Sequence, residues 1–165
     1  MQLDVLVQIE NSRIENISLD VCHETSRGSG LRTVTSIHAG SFLIEYVGEV
    51  INAETMNFRM VRQRVELPDD LDFYIMALEN VFFINSKQKG QSRFINHSCD
   101  PNCRLERWNV HGRTRIGVFA TRNIEAGDNI CYDYRLENPE SNIFECKCGN
   151  SWCRGTLAQS RKRNK

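Results

Sequence analysis

A chain of 165 residues, with Lys plus Arg matched by Asp plus Glu at 21 each, is one domain with room for one active site, and its zero net charge excludes strong nonspecific attraction to nucleic acid or membrane. Seven cysteines are an odd number, which excludes a fully paired disulfide framework and makes metal binding the leading use for any that cluster. No basic segment followed by an apolar run opens the sequence, and no window approaches the ~18 apolar residues of a membrane span, so a soluble, intracellular protein is expected.

In chain order, short β-like runs lie at 17–22 (ISLDVC), 31–34 (LRTV), 42–51 (FLIEYVGEVI), 73–78 (FYIMAL), 81–85 (VFFIN), 104–110 (RLERWNV) and 114–120 (TRIGVFA). The segment 53–65, AETMNFRMVRQRV, is the one convincing helix: Asn52 can cap it, and Met56, Met60 and Val61 recur along one face for packing. His111-Gly112 predicts a tight hairpin turn, and EAGD at 125–128 predicts another. Residues 134–145 (YRLENPESNIFE) lose the alternating pattern and include Pro139, which predicts a mobile loop leading to a small cysteine-bearing tail. The closing SRKRNK, 160–165, is basic and has no apolar residue, as a solvated terminus or a contact to DNA phosphates would be.

In that tail, CKCGNSWC places Cys146, Cys148 and Cys153 as C-x-C-x4-C, with Gly149 allowing the bend that brings three sulfurs to one centre. A closed structural zinc site wants four ligands, and Cys22, Cys99, Cys103 and Cys131 remain as donors. Cys22 and Cys131 belong to apolar runs and look like small buried hydrophobes, which points to the stretch RFINHSCDPNC at 93–103. That stretch can be read as a nucleophile with its base, as part of a metal site, or as a polar buried loop.

RGSGLRT (27–33), EYVGEV (45–50), RFINHSCDPNC, CYDY (131–134) and CKCGNSWCRGTL (146–157) occur in an order that resembles the SET-domain protein lysine methyltransferases. INSKQKGQSRFINHSC, FYIMAL and the Trp-x-Val-x-Gly pattern in RLERWNVHGRTRIGVFAT are similar to the branch that methylates lysine 36 of histone H3. The resemblance implies a mainly β SET fold of short sheets with a pseudoknot, one inserted helix and a C-terminal post-SET zinc segment. Its boundaries would be a flank at 1–16, corresponding to the end of a preceding zinc module, then the SET domain at 17–138 with an insert at 52–85. The post-SET segment at 139–157 and the basic tail at 158–165 would follow.

The same resemblance implies the chemistry. A methyl group passes from S-adenosylmethionine to a lysine amine of a histone tail or nucleosome in the nucleus, with possible DNA contact through the basic tail. Tyr134 is the implied catalytic tyrosine, Tyr74 lines the lysine channel, and Tyr132 takes the position where a hydroxyl favours mono- or dimethyl product. Gly28, Ser29, Gly30, Arg93, Asn96, His97, Tyr134 and Leu157 are the implied cofactor residues, with Ser29 standing where the family often has a large aromatic. His97 is given no proton-transfer role. Cys99 is the implied fourth zinc ligand beside Cys146, Cys148 and Cys153, with Cys103 as the fallback, while Trp152 and Leu157 either cover the site or pack. Two other functions fit parts of the pattern. One is a thiol hydrolase pairing Cys99 with His97, and the other a non-catalytic SET-like module that binds a histone tail.

Overall fold

The hairpin turn predicted at His111-Gly112 joins the two eight-residue strands β8 (Cys103–Val110) and β9 (Arg113–Ala120). Both turn residues have positive φ, 51° and 76°, the backbone that a two-residue connection needs to match the twist of its strands. In this computed structural model the described residues are 17–67, 74–79, 81–136 and 144–158. The flank at 1–16, most of the predicted mobile loop and nearly all of the basic tail therefore lie outside them.

Before that hairpin the chain makes β1 (Leu19–Glu24), β2 (Gly28–Thr33), β3 (Phe42–Glu45), β4 (Glu49–Asn52), helix α1 (Ala53–Glu66), β5 (Ile75–Glu79), β6 (Phe82–Asn85) and β7 (Asn96–His97). After it comes β10 (Cys131–Tyr132). The strands form four small sheets: β1–β2, β3–β9–β8, β4–β6–β5 and the parallel pair β7–β10. Mainly β, short-sheeted and with one α-helix among the described residues, the fold class is as expected.

The run 42–51 is two strands in two sheets, where the alternation had suggested one. β3 pairs with β9 and β4 with β6. The chain crosses between them at Tyr46–Gly48, where a Cβ on Gly48 would overlap the Asn85 carbonyl, so close backbone approach accounts for the glycine.

Helix α1 starts where Asn52 caps it, the side-chain oxygen accepting from the Thr55 N–H at 2.8 Å. Its packing differs from expectation. Met56 and Met60 are half-buried, but Val61 is exposed, and no α1 residue is fully buried. Phe58, Val61 and Val65, at i, i+3 and i+7, make an apolar stripe that faces solvent. The helix therefore rests on the sheet by its polar-flanked methionine side.

The main core gathers Leu31 and Leu43, Ile95, and Val118, Ile124 and Ile130 from three stretches distant in sequence. Fully burying each such aliphatic side chain stabilises the fold by about 2 kcal/mol. Around it, β2 holds the segment that delivers β10: the Thr33 N–H donates to the Asp128 carbonyl at 3.0 Å, Gly127 N–H to Thr33 at 2.7 Å and Ile130 N–H to Leu31 at 2.7 Å. Gly127, with φ of 93°, makes the predicted 125–128 turn possible.

Candidate active site

Parallel pairing of β10 with β7 sets Cys131 opposite Asn96 and Tyr132 opposite His97. This is the pairing that the expected pseudoknot requires. Asn102 supports it from one side, its amide donating to the Asn129 carbonyl at 2.9 Å and its side-chain oxygen accepting from the Cys131 N–H at 2.9 Å. A buried amide with both ends used is a rigid spacer.

Tyr132 and Tyr134 therefore project from one strand segment with ring centroids 5.0 Å apart. The Tyr134 hydroxyl donates to the Ile95 carbonyl at 2.8 Å, so toward any further partner its oxygen acts as an acceptor. Burial pushes the Tyr132 phenol well above its ordinary value, with the neighbouring Tyr134 adding to the effect, and it stays neutral.

His97 is buried, and its Nδ1 accepts the Tyr134 N–H at 3.1 Å. The proton of the neutral ring must then sit on Nε2, which lies 3.4 Å from the Cys99 sulfur and donates to it. Burial lowers the His97 pKa to about 4 despite the nearby Asp133 carboxylate, consistent with a neutral ring. The imidazole is a strut between a cysteine and the tyrosine strand.

The Gly-x-Gly segment lies on β2, beside β7. Gly28 has φ of 75° with open space where a Cβ would stand, and Gly30 is buried with its Cβ position overlapping the Glu24 carboxylate. Asn96 Nδ2 donates to Glu24 Oε1 at 2.8 Å and to the Ser29 carbonyl at 3.1 Å. Arg27 pairs with Glu24 and donates to the His97 carbonyl at 3.0 Å. Arg93 covers the Phe94 ring at 4.5 Å, and Phe94 meets Tyr74 edge to face at 6.5 Å. Tyr74 thus meets Phe94, which, like Tyr134, packs against the main core. Its φ of 46° holds it in a backbone conformation rare for aromatics. Leu157 is half-buried and fixed by backbone bonds to Phe144 and Leu136, whereas Trp152 is 87% exposed.

The sulfurs of Cys99, Cys146, Cys148 and Cys153 all lie within 4.8 Å of one another. Cys99 to Cys146 is 3.7 Å and Cys99 to Cys153 is 4.0 Å. A tetrahedral zinc with bonds of about 2.3 Å needs sulfurs about 3.8 Å apart, so four thiolates at this spacing fit the ion. Cys103 instead lies in the core, pushed up to about 12 by burial, and is no ligand. Burial raises Cys146 and Cys99 as well; Cys148, which burial alone would also raise, is held down at about 6 by bonds from the Cys99 and Asn150 backbone and neighbouring thiols.

Arg154, next to Cys153, reaches back to the tyrosine strand. Its guanidinium donates to both oxygens of Asp133 at 2.8 and 2.7 Å, and Asp133 stands between Tyr132 and Tyr134. Its backbone N–H points at the Cys99 sulfur, 3.4 Å away. The sulfur cluster and the tyrosines are mechanically joined.

A SET domain model matches residues 28–135. The chain belongs to the SET-domain family. Histone-lysine N-methyltransferase, H3 lysine-36 specific, of Mycosarcoma maydis is 38% identical over 146 residues, 88% of this chain and 15% of that protein. Histone-lysine N-methyltransferase ASHR3 of Arabidopsis thaliana is 43% identical over 138 residues, 82% of this chain and 27% of its relative. The Homo sapiens histone-lysine N-methyltransferase, H3 lysine-36 specific, is 39% identical over 140 residues, 84% of this chain and 5% of that protein. This SET chain thus spans roughly a quarter or less of each of these relatives.

Of the residues expected from sequence, the SET fold brings together Gly30, Ser29, Asn96, His97, Tyr132, Tyr134 and the four cysteines, with Tyr74 and Arg93 joined through Phe94. Sequence reasoning missed Glu24, Arg27, Asn102, Asp133 and Arg154. Charge inside motifs was the available signal: Asp133 separates the two tyrosines, and Arg154 follows the last cysteine.

Proposed function

We propose that this chain is the catalytic part of an S-adenosylmethionine-dependent protein lysine N-methyltransferase, acting on a histone tail in chromatin, with lysine 36 of histone H3 as its substrate. The observation that carries the reading is the Tyr134 hydroxyl, fixed on the Ile95 carbonyl beside the Asn96–His97 segment. Nuclear location follows from that substrate; nucleosomal DNA contact through the basic tail is a separate reading, set beside that of a solvated terminus. The SET domain is read as 17–138 with its insert at 52–85, and the post-SET segment as 139–157.

S-adenosylmethionine, when bound, supplies a methyl group on a cationic sulfur. The open backbone at Gly28, the Ser29 carbonyl and the Asn96 amide fit such a group, because they offer backbone access and polar partners in one place, while Gly30 makes room for Glu24. What remains for the protein is to present an uncharged lysine amine in line. A lysine of pKa near 10.4 is about 0.04% neutral at pH 7, a deficit of about 4.6 kcal/mol. The apolar wall of Phe94 and the two neutral tyrosines desolvates the amine and lowers that pKa, and orientation contributes further. Tyr134, its proton committed to Ile95, accepts from the amine and from polarised methyl C–H groups. The Tyr132 hydroxyl occupies space that a trimethylated nitrogen would need, which favours mono- and dimethyl products.

Zinc, held by Cys99, Cys146, Cys148 and Cys153, supplies a structural cross-link between the 93–103 segment and the tail.

Radiolabelled methyl transfer to nucleosomes, read by mass spectrometry, tests the proposal. The wild type should give mono- and dimethyl lysine at position 36, and Tyr134→Phe should be slower by about 100-fold with unchanged circular dichroism. A folded, zinc-loaded wild type that transfers no label overturns the enzyme reading. Equal labelling of nucleosomes carrying alanine at position 36 overturns the substrate.

A further inference from the structure

We propose that Glu24 is a cofactor-recognition residue, its carboxylate pairing with the α-ammonium of the methionine part of S-adenosylmethionine. This rests on the cofactor reading above and adds a residue that the Gly-x-Gly and Asn-His motifs do not contain.

The β1–β2 register puts Glu24 opposite Gly28 and Cys22 opposite Gly30. Paired positions share a face of the ladder, so the Glu24 side chain stands on the side to which a residue at 28 or 30 would point. A Cβ on Gly30 would overlap the Glu24 carboxylate. Glycine at that position is what admits an acid here.

The acid is also nearly enclosed, with its side chain 10% exposed. A carboxylate removed from water needs charged or hydrogen-bonded partners to compensate. Arg27 is one partner, but that guanidinium also serves the His97 carbonyl at 3.0 Å. The other partner is a neutral amide: Asn96 Nδ2, which Glu24 shares with the Ser29 carbonyl at 2.8 and 3.1 Å. A carboxylate and a carbonyl thus converge on one nitrogen between two segments that the cofactor reading already invokes.

A primary ammonium suits that place better than an amide. It brings three N–H donors and a full positive charge, and charge-assisted hydrogen bonds are about twice as strong as neutral ones. For the ammonium to take the place of the Asn96 nitrogen, the Asn96 side chain must swing back and turn its oxygen inward as a third acceptor, a rearrangement that the incoming charge compensates. Glu24, Ser29 and Asn96 then match the three donors of the ammonium, while Arg27 keeps its bond to His97.

Isothermal titration of the zinc-loaded protein with three ligands tests this. S-adenosylmethionine has the ammonium and the sulfonium; S-adenosylhomocysteine has the ammonium alone; 5′-deoxy-5′-methylthioadenosine has neither. Glu24→Gln should weaken the first two by about tenfold and leave the third within about twofold, which also shows that the variant is folded. Equal weakening of all three would make Glu24 a prop for Arg27 and overturn the proposal. Weakening of S-adenosylmethionine alone would mean that the carboxylate reads the sulfonium, and unchanged binding of all three would mean no contact; either result overturns it. A wild type that binds S-adenosylmethionine while Glu24→Gln shows no selective loss leaves the cofactor reading standing, whereas a wild type that binds none of the three ends both.

Discussion

The cysteine-bearing tail and the helical insert both contribute few fully buried apolar side chains, yet they are held in opposite ways. The tail is fixed by side-chain chemistry acting across long sequence separations: four converging sulfurs, the Arg154–Asp133 pair and the His97 strut. The insert is fixed by its own backbone, with β4, β6 and β5 in one ladder and α1 laid beside it. Its ion pairs, Arg59 with Glu49 and Arg62 with Glu66, are solvent-exposed. The tail thus rests on a sulfur cluster spaced for a metal and on a few polar contacts, whereas the described part of the insert rests on backbone pairing.

Metal removal should break that comparison most visibly. Stripping zinc with a chelator, or Cys148→Ser, should raise deuterium uptake across 144–158 and around 96–99 by well over tenfold in rate, since structural zinc contributes on the order of 10 kcal/mol to the segments it joins. Uptake across β4, β5 and β6 should stay unchanged, and hydrogen-exchange mass spectrometry reads both regions in one experiment.

A smaller effect isolates the ion pair. Arg154→Met should destabilise the fold by about 2 kcal/mol in urea, because it strands the partly buried Asp133 carboxylate. Burial alone would raise the Asp133 pKa, but Arg154 outweighs it and the net shift is downward. A carboxyl depressed in the folded state contributes fully above its unfolded pKa, near 4, and loses the contribution as pH falls through the lower folded value. Wild type and Arg154→Met should therefore differ most above about pH 4 and converge below it.

On the insert the expected effect is smallest. Val65→Lys, in the exposed stripe of α1, should move stability by less than about 0.5 kcal/mol in the same titration. A larger loss would mean that the stripe is covered in solution.

The parts of the molecule were unequally legible from sequence. The 111–112 turn could be read because positive φ at two successive residues restricts residue type, and Cys146, Cys148 and Cys153 could be read because their spacing is local. The fourth sulfur could not: composition left four candidates, and Cys99 was reached through family resemblance before the geometry brought it to the cluster. The split of 42–51 into β3 and β4 stayed hidden because partners in different sheets leave no mark on alternation. Val61 misled for a related reason, since a hydrophobic face on a helix shows periodicity whether or not anything covers it. Glu24 and Arg154 carry ordinary surface charges in the sequence and acquire their settings only when strands pair and the tail folds back.

The parallel pairing of β7 with β10 also sets an order of events during synthesis. A nascent chain leaving the ribosome can assemble β1 through β9 while the partner of Asn96–His97 is still untranslated, and Asp133 must then wait for Arg154. A polypeptide ending before residue 131 therefore lacks the strand that pairs with Asn96–His97, and one ending before residue 154 lacks the guanidinium that pairs with Asp133.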